Sequence, residues 1–324
     1  MKIAAAALCL ILLSGCAVFN VSLTTQTRPL EEMTLEGKGK TKILLLDLDG
    51  RISFREESEG WRSKGMPSQP AFFREAFLKA KGDRNIAGVI VRINSPGGTA
   101  TASDAIYHEI MNFRQATKAP VYAYIMEMGA SGGYYVAAAS DRIFANPTAI
   151  TGSIGVIAVR PGLEGLLSKI GVTTETYKSG PKKDFWSPFR PSTPEEKEML
   201  QSVVDNLYAR FLDVIYANRE KVLTMDEVRT LADGRILTAM QAKDAKMIDG
   251  VFYLDETISV MKRDLGISEA RVVTYARPHT FKSNIYSDVS DHGMPNAQTV
   301  NLININAGEI PLSPGIKFLY LWNP

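Results

Sequence analysis

The chain is poor in the side chains that most often move protons or hold metals. Among 324 residues there are three histidines and two cysteines. His108 falls within Ser103–Ile110, whose spacing reads as a surface helix, and His279 and His292 fall in an irregular C-terminal stretch. No histidine stands in an evident relation to a nucleophile, so a proton acceptor has to be sought among other residues. Cys9 lies inside an apolar N-terminal stretch, which leaves Cys16 as the one thiol beyond it. A lone thiol excludes a disulfide framework and a thiolate metal site, and no metal or other cofactor is expected. Charge of one sign is also missing. With 37 basic residues against 35 acidic ones and no run of like charge, nothing marks a nucleic-acid partner. Long hydrophobic runs are absent as well: Ile3–Leu13 is too short to cross a bilayer as a stable helix.

What is present begins with a targeting pattern. Lys2 precedes the apolar stretch, which ends in Leu13-Ser14-Gly15-Cys16. That ending resembles the lipobox of bacterial lipoproteins, where the cysteine sulfur takes a diacylglycerol and becomes the first residue after cleavage. The resemblance implies a lipoprotein signal peptide over 1–15 and a membrane anchor at Cys16. A Sec signal peptide with an unrelated cysteine is the alternative. Ala17, not an aspartate, follows the cysteine, which in a two-membrane bacterium implies the outer membrane. The polar residues up to Thr41 read as a flexible tether, so lipidated cysteine and tether are assigned to 16–41.

Beyond it, apolar strands alternate with helical patterns. Strands are predicted over 43–48, 86–94, 121–126 and 142–145, and helices over 71–81, 101–117 and 132–140. This alternation argues for an α/β architecture with largely parallel pairing. Thr193-Pro194-Glu195-Glu196 reads as a helix start with a capping box, followed by an apolar stripe at Leu200, Val203, Val204, Leu207, Phe211, Val214 and Ile215. The stripe is read as core or subunit contact. Shorter helices are predicted over 225–231 and 239–245. After about Tyr275 the pattern dissolves into Ser, Asn, Asp, Gly and Pro, and the chain ends on an apolar, aromatic patch at 315–324. A lone domain does not normally expose such a patch, so it packs on a neighbouring subunit, lies on the membrane, or covers the functional site.

Three segments carry chemistry. Gly129-Ala130-Ser131-Gly132-Gly133 follows a strand and opens a helix, a place where backbone N–H groups favour developing negative charge. A nucleophilic serine belongs there, although a tight turn with a capping serine is the plainer reading. Ser95-Pro96-Gly97-Gly98 also follows a strand, and its paired glycines leave N–H groups free to meet an oxyanion, as they also would in an ordinary strand-to-helix loop. Lys178-Ser179-Gly180-Pro181-Lys182-Lys183-Asp184 supplies amines, with Phe185, Trp186, Pro188 and Phe189 nearby to exclude water. A lysine serves as base only where burial or neighbouring cations lower its pKa, and most lysines are simply solvated.

Together with Thr151-Gly152-Ser153-Ile154-Gly155-Val156, these segments resemble the signal peptide peptidase A family of serine proteases. The matching stretch runs from about residue 42 to 265, in the order and spacing of the short bacterial members. The resemblance implies a Clp protease/crotonase-like α/β fold of repeated ββα units with a helical subdomain. It assigns 42–268 to a protease domain and leaves 269–324 as a tail of unassigned role. It implies Ser131 as nucleophile, Lys183 as general base, Ser153 as the residue orienting that lysine, and Gly98 and Gly132 as oxyanion donors. Lys178 and Lys182 are the neighbours with which Lys183 could be confused.

The implied activity is a membrane-tethered endopeptidase of the bacterial cell envelope, facing the periplasm or the exterior, acting on cleaved signal peptides or other membrane-associated peptides. Its Ser–Lys dyad would work through an acyl-enzyme. A homo-oligomeric ring is implied, with the dyad drawn from one protomer or from two. A crotonase-like acyl-thioester enzyme, an α/β-hydrolase recruiting His279 or His292, and a non-catalytic binding lipoprotein are the competing readings. The largely apolar stretch 126–135 and the aromatic residues 185–189 predict a pocket for apolar and small side chains beside the cleaved bond.

Overall fold

The computed structural model describes residues 29–55, 67–278, 280–287, 290–291 and 318–322. Its strands are β1 (Glu31–Glu36), β2 (Lys42–Asp49), β3 (Ile86–Ser95), β4 (Gly97–Thr99), β5 (Val121–Ala130), β6 (Arg142–Ala145), β7 (Ile150–Gly152), β8 (Ile236–Thr238), β9 (Gly250–Val251), β10 (Arg271–Ala276), β11 (Thr280–Phe281), β12 (Ser290–Asp291) and β13 (Leu319–Leu321). The helices are α1 (Gln69–Lys81), α2 (Ala100–Thr117), α3 (Gly132–Ala137), α4 (Glu164–Lys169), α5 (Pro194–Arg219), α6 (Met225–Leu231), α7 (Ala239–Asp244) and α8 (Leu254–Asp264).

One sheet runs β1-β10-β2-β3-β5-β6-β9, with β7 beside the end of β5 and β8 beyond it. All its pairings are parallel except β1 with β10 and β7 with β8. Parallel strands covered on both faces read as unbroken apolar runs, which is why Ile43–Leu46 and Val89–Val91 showed no alternation. The two faces separate in the core. Leu44, Leu46, Val89 and Val91 face Phe73 and Phe77 of α1 and Ile106, Ile110 and Phe113 of α2, while Ile43, Leu45, Ile90 and Tyr122 face Leu254, Ile258 and Met261 of α8. Helices α5 to α7 form the helical part beyond the sheet.

Two strands lie outside the boundaries that the sequence implied. β1 falls within the expected tether and β10 within the expected tail, yet β10 sits inside the sheet between β1 and β2. β1 is a half-exposed edge strand, so Glu-Glu-Met-Thr-Leu-Glu needs little apolar content. β10 pairs with β2 from the far end of the domain, and such pairing leaves no local signature. The signal peptide, Cys16 and the tether before residue 29 lie outside the described residues, as do His279 and His292.

Candidate active site

Ser131 stands where β5 ends and α3 begins. Its backbone holds φ 51° and ψ −114°, a region that L side chains rarely occupy. Both flanks fix it: β5 is a central strand, and every residue of α3 is buried. The Ser131 amide donates to Gly152 O at 2.8 Å, and Tyr135 N donates to Ser131 O at 2.9 Å. The hydroxyl has no hydrogen-bond partner among the described residues, although the residue is buried. β5 and β7 run parallel with Ala130 opposite Gly152, so Ser131 and Ser153 leave neighbouring strands at the same level. Ser153 also has positive φ, 50°, and is buried, its amide donating to Arg235 O at 2.6 Å.

The glycines converge on the same place. Ser95 donates to Gly50 O at 2.6 Å and accepts from Gly97 N at 3.1 Å, which fixes the turn into β4. Ile52 N donates to Gly97 O, and Ile52 O accepts from Thr99 N, both at 2.9 Å. A methyl group on Gly98 would lie 1.9 Å from Ile52 O, and one on Gly132 would lie 2.5 Å from Ser103 Oγ and 3.1 Å from Gly98 N. One on Gly97 would lie 2.6 Å from Gly132 N. Only glycine fits at these positions. The outcome is two backbone amides, of Gly98 and Gly132, gathered beside a serine with a free hydroxyl, an arrangement suited to holding an oxyanion.

The lysines lie elsewhere on the chain. Residues 155–191 carry one short helix, α4, which buries no residue. Lys178 pairs with Asp184 at 2.6 Å, and Lys182 pairs with Glu195. Arg190 binds Asp184 at 2.8 Å and Glu196 at 2.6 Å, and these bonds hold the Asp184 carboxyl well below its usual range and Glu196 down to about 2. Lys183 is exposed, and its ammonium has no ion-pair or hydrogen-bond partner among the described residues. No hydrogen bond joins it to Ser131 among the described residues. The aromatic residues expected to shield the base pack within the arm instead: Trp186 stacks with the Arg160 guanidinium at 5.8 Å, and Phe189 is exposed. His108 is exposed on α2, away from these groups.

The family model of peptidase family S49 matches residues 113–268, a span that holds Ser131, Gly132, Ser153 and Lys183. A putative signal peptide peptidase of Enterococcus faecium is 35% identical over 250 residues, covering 77% of this chain and 71% of that protein. The chain belongs to the signal peptide peptidase A family. It is a serine peptidase of family S49, and its parallel-rich α/β architecture is the Clp protease/crotonase-like fold expected from the motifs. A putative protease of Synechocystis is 40% identical over 172 residues, covering 53% of this chain and 61% of that one. Protease 4 of Salmonella typhi is 30% identical over 217 residues, covering 67% and 34%. The chain therefore spans less than two thirds of the Synechocystis protein and about one third of the Salmonella one.

One part of this family member's site escaped the sequence reading. Of the C-terminal patch, the described residues Phe318–Trp322 lie in the cleft: β13 pairs antiparallel with β4, so that Tyr320 stands opposite Gly98. On its other side Leu319 exchanges two 3.0 Å backbone bonds with Ile157. Tyr320 packs between Tyr135 of α3 and Phe211 of α5, its ring centroid 5.1 Å from the first and 4.6 Å from the second. Phe211 belongs to the apolar stripe of α5 and is buried. The aromatic ending of an otherwise polar tail was the one available signal.

Proposed function

We propose that this peptidase is an endopeptidase in which Ser131 is the nucleophile and Lys183 the general base. The observation that carries the reading is the strained, unpartnered Ser131 beside the amides of Gly98 and Gly132. Ser131 Oγ attacks the peptide carbonyl and gives its proton to the neutral Lys183 amine. The Gly98 and Gly132 N–H groups take the oxyanion, and the Lys183 ammonium then protonates the leaving amine. A water, deprotonated by the same lysine, releases the acyl group. Ser153, at the level of Ser131, orients the lysine. Of the three lysines in the motif, Lys183 is the one whose amine is not already engaged by a carboxylate, which supports its choice.

Because Lys183 is exposed and does not meet Ser131 within the chain, a second copy is its proposed destination. The arm around it exposes Ile157, Val159, Leu166, Ile170, Val172 and Tyr177, an apolar surface that fits a homo-oligomeric ring. Anchoring through a lipid on Cys16 completes the proposal, and among the described residues no helix is long and apolar enough to cross a membrane. A lipid anchor places the enzyme in the bacterial cell envelope, where cleaved signal peptides and other membrane-associated peptides are the proposed substrates. The name of the Enterococcus relative supports that class.

The test uses quenched fluorescent peptides. Ser131→Ala and Lys183→Ala should each lower kcat at least about a hundredfold. Mixing the two inactive variants under subunit exchange should restore part of the activity if serine and lysine come from different copies. Near-wild-type activity in Lys183→Ala would remove the lysine from the mechanism. Cys16→Ser should release the protein from the membrane fraction, and unchanged membrane retention would refute the anchor.

A further inference from the structure

Resting on the reading of Ser131, Ser153 and Lys183 above, we propose that Asp233 is a positioning residue of this peptidase. Its carboxylate clasps the turn Asp233–Gly234–Arg235, and through that turn it sets how Ser153 presents its hydroxyl to the base. A single peptide group carries the coupling. The carbonyl of Gly152 accepts from the Ser131 amide at 2.8 Å, and the N–H at the other end of the same planar unit, that of Ser153, donates to Arg235 O at 2.6 Å. Ser153 is buried at φ 50°, and Gly152 before it has φ 91°. A residue with a Cβ keeps such a backbone only where its surroundings impose it, and the Arg235 carbonyl is the constraint on Ser153. There is no slack beside it, since a methyl group on Gly152 would lie 2.7 Å from the same oxygen. Where the Arg235 carbonyl goes, Ser153 goes.

The ladder between β7 and β8 holds that carbonyl from one side only. Its register pairs Thr151 with Leu237 and Gly152 with Ile236, so Ser153 and Arg235 come next. In a complete antiparallel ladder the two members of a hydrogen-bonded pair donate to each other. Among the described residues only Ser153 donates here. The Arg235 amide turns to Asp233 Oδ1 at 3.1 Å, and the guanidinium grips the same carboxylate, Nε to Oδ1 at 2.8 Å and a terminal nitrogen to Oδ2 at 2.6 Å. Asp233 thus holds residue 235 by backbone and side chain at once, with Gly234 at φ 90° closing the turn. At its root, Ala232 O accepts from the Tyr208 hydroxyl of α5 at 2.7 Å, which ties the turn to the helical part. The guanidinium and the Arg235 amide bring the Asp233 carboxyl down to about 2, so the clasp is ionised near neutral pH. Both side chains of the pair are half exposed, and an exposed ion pair contributes little to stability. Loss of the clasp should therefore show in turnover and not in the melt.

Detergent-solubilised full-length protein is assayed on quenched fluorescent peptides, with a thermal melt of each variant. Asp233→Ala should lower kcat about ten- to a hundredfold at unchanged KM and Tm, since a misplacement of about 1 Å in a catalytic group can cost a hundredfold. The rise of kcat/KM with pH should also move to higher pH, because a displaced Ser153 hydroxyl no longer favours the neutral Lys183 amine. Asp233→Asn keeps an oxygen for the Arg235 amide and should stay within about threefold of wild type. In a Ser153→Ala background Asp233→Ala should cost nothing further, because no hydroxyl is left to place. Asp226→Ala, which removes the exposed Asp226–Arg229 pair of α6, is the control and should leave kcat unchanged. Wild-type kcat in Asp233→Ala beside an impaired Ser153→Ala would overturn the clasp alone. So would a loss that comes with a lowered Tm or persists in full in the double variant. Wild-type kcat in Ser153→Ala would overturn the orienting role of Ser153 and the clasp with it, and no cleavage by the wild type would sink the peptidase reading itself.

Discussion

Replacing Ser131 by glycine should abolish activity and yet make the protein more stable than the alanine variant. With φ 51° and ψ −114°, Ser131 occupies a region that is strained for any residue with a Cβ. Such a conformation costs about 1–3 kcal/mol. Ser131→Ala keeps the Cβ and so keeps the strain. It loses no hydrogen bond, because the hydroxyl makes none among the described residues, and both backbone bonds of the residue survive. Ser131→Gly removes the strain. Against that stands the greater freedom of glycine in the unfolded chain, about 0.5–1 kcal/mol. Taken at the middle of both ranges, the net gain of glycine over alanine is about 1 kcal/mol, or a Tm higher by about 2–4 °C for a domain of this size. Ser103, inside α2, is the control: there Gly should be less stable than Ala by about 1 kcal/mol. Thermal melts followed by circular dichroism report both pairs. If Ser131→Gly melts at or below Ser131→Ala while the Ser103 pair behaves normally, the strain argument is wrong.

Gly98→Ala should displace the β4 amide, because its methyl group would lie 1.9 Å from the backbone oxygen of Ile52. A loss of about 10²–10³ in kcat is expected, with a destabilisation of about 1–3 kcal/mol in a denaturant melt; an active, equally stable variant would refute it. Thr193→Ala removes the acceptor for Glu196 N at the start of α5 and should cost about 0.5–2 kcal/mol in the same assay. Acid should loosen the arm before the sheet. Arg190 holds the folded-state pKa values of Asp184 and Glu196 below their ordinary values of 3.8 and 4.5, so this stabilisation is complete above those values and is lost as pH falls toward about 2. Hydrogen-exchange protection of residues 178–196 should fall across that window ahead of β2, β3 and β5, and uniform protection would count against it.

The sequence by itself determined what depends on near neighbours. Thr193 and Glu196 cap α5 as their spacing required, and α6 spans Met225–Leu231 as its pattern implied. The unbroken apolar runs became strands buried on both faces, and Ser131 stands between strand and helix as Gly129–Gly133 suggested. These features follow from short-range periodicity and from hydrogen bonds within one turn. The tertiary structure decided what depends on partners far along the chain. The register of β5 against β7 set Ser131 beside Ser153, and the approach of β4 to α3 brought the Gly98 amide to that of Gly132. β10 entered the sheet beside β2, and β13 returned to lie on β4. Strand pairing is made by backbone groups that every residue carries, so a polar edge strand such as β1 or a short ending such as Phe318–Trp322 does not announce its partner. Only the fold placed an aromatic ending opposite Gly98, between Tyr135 and Phe211.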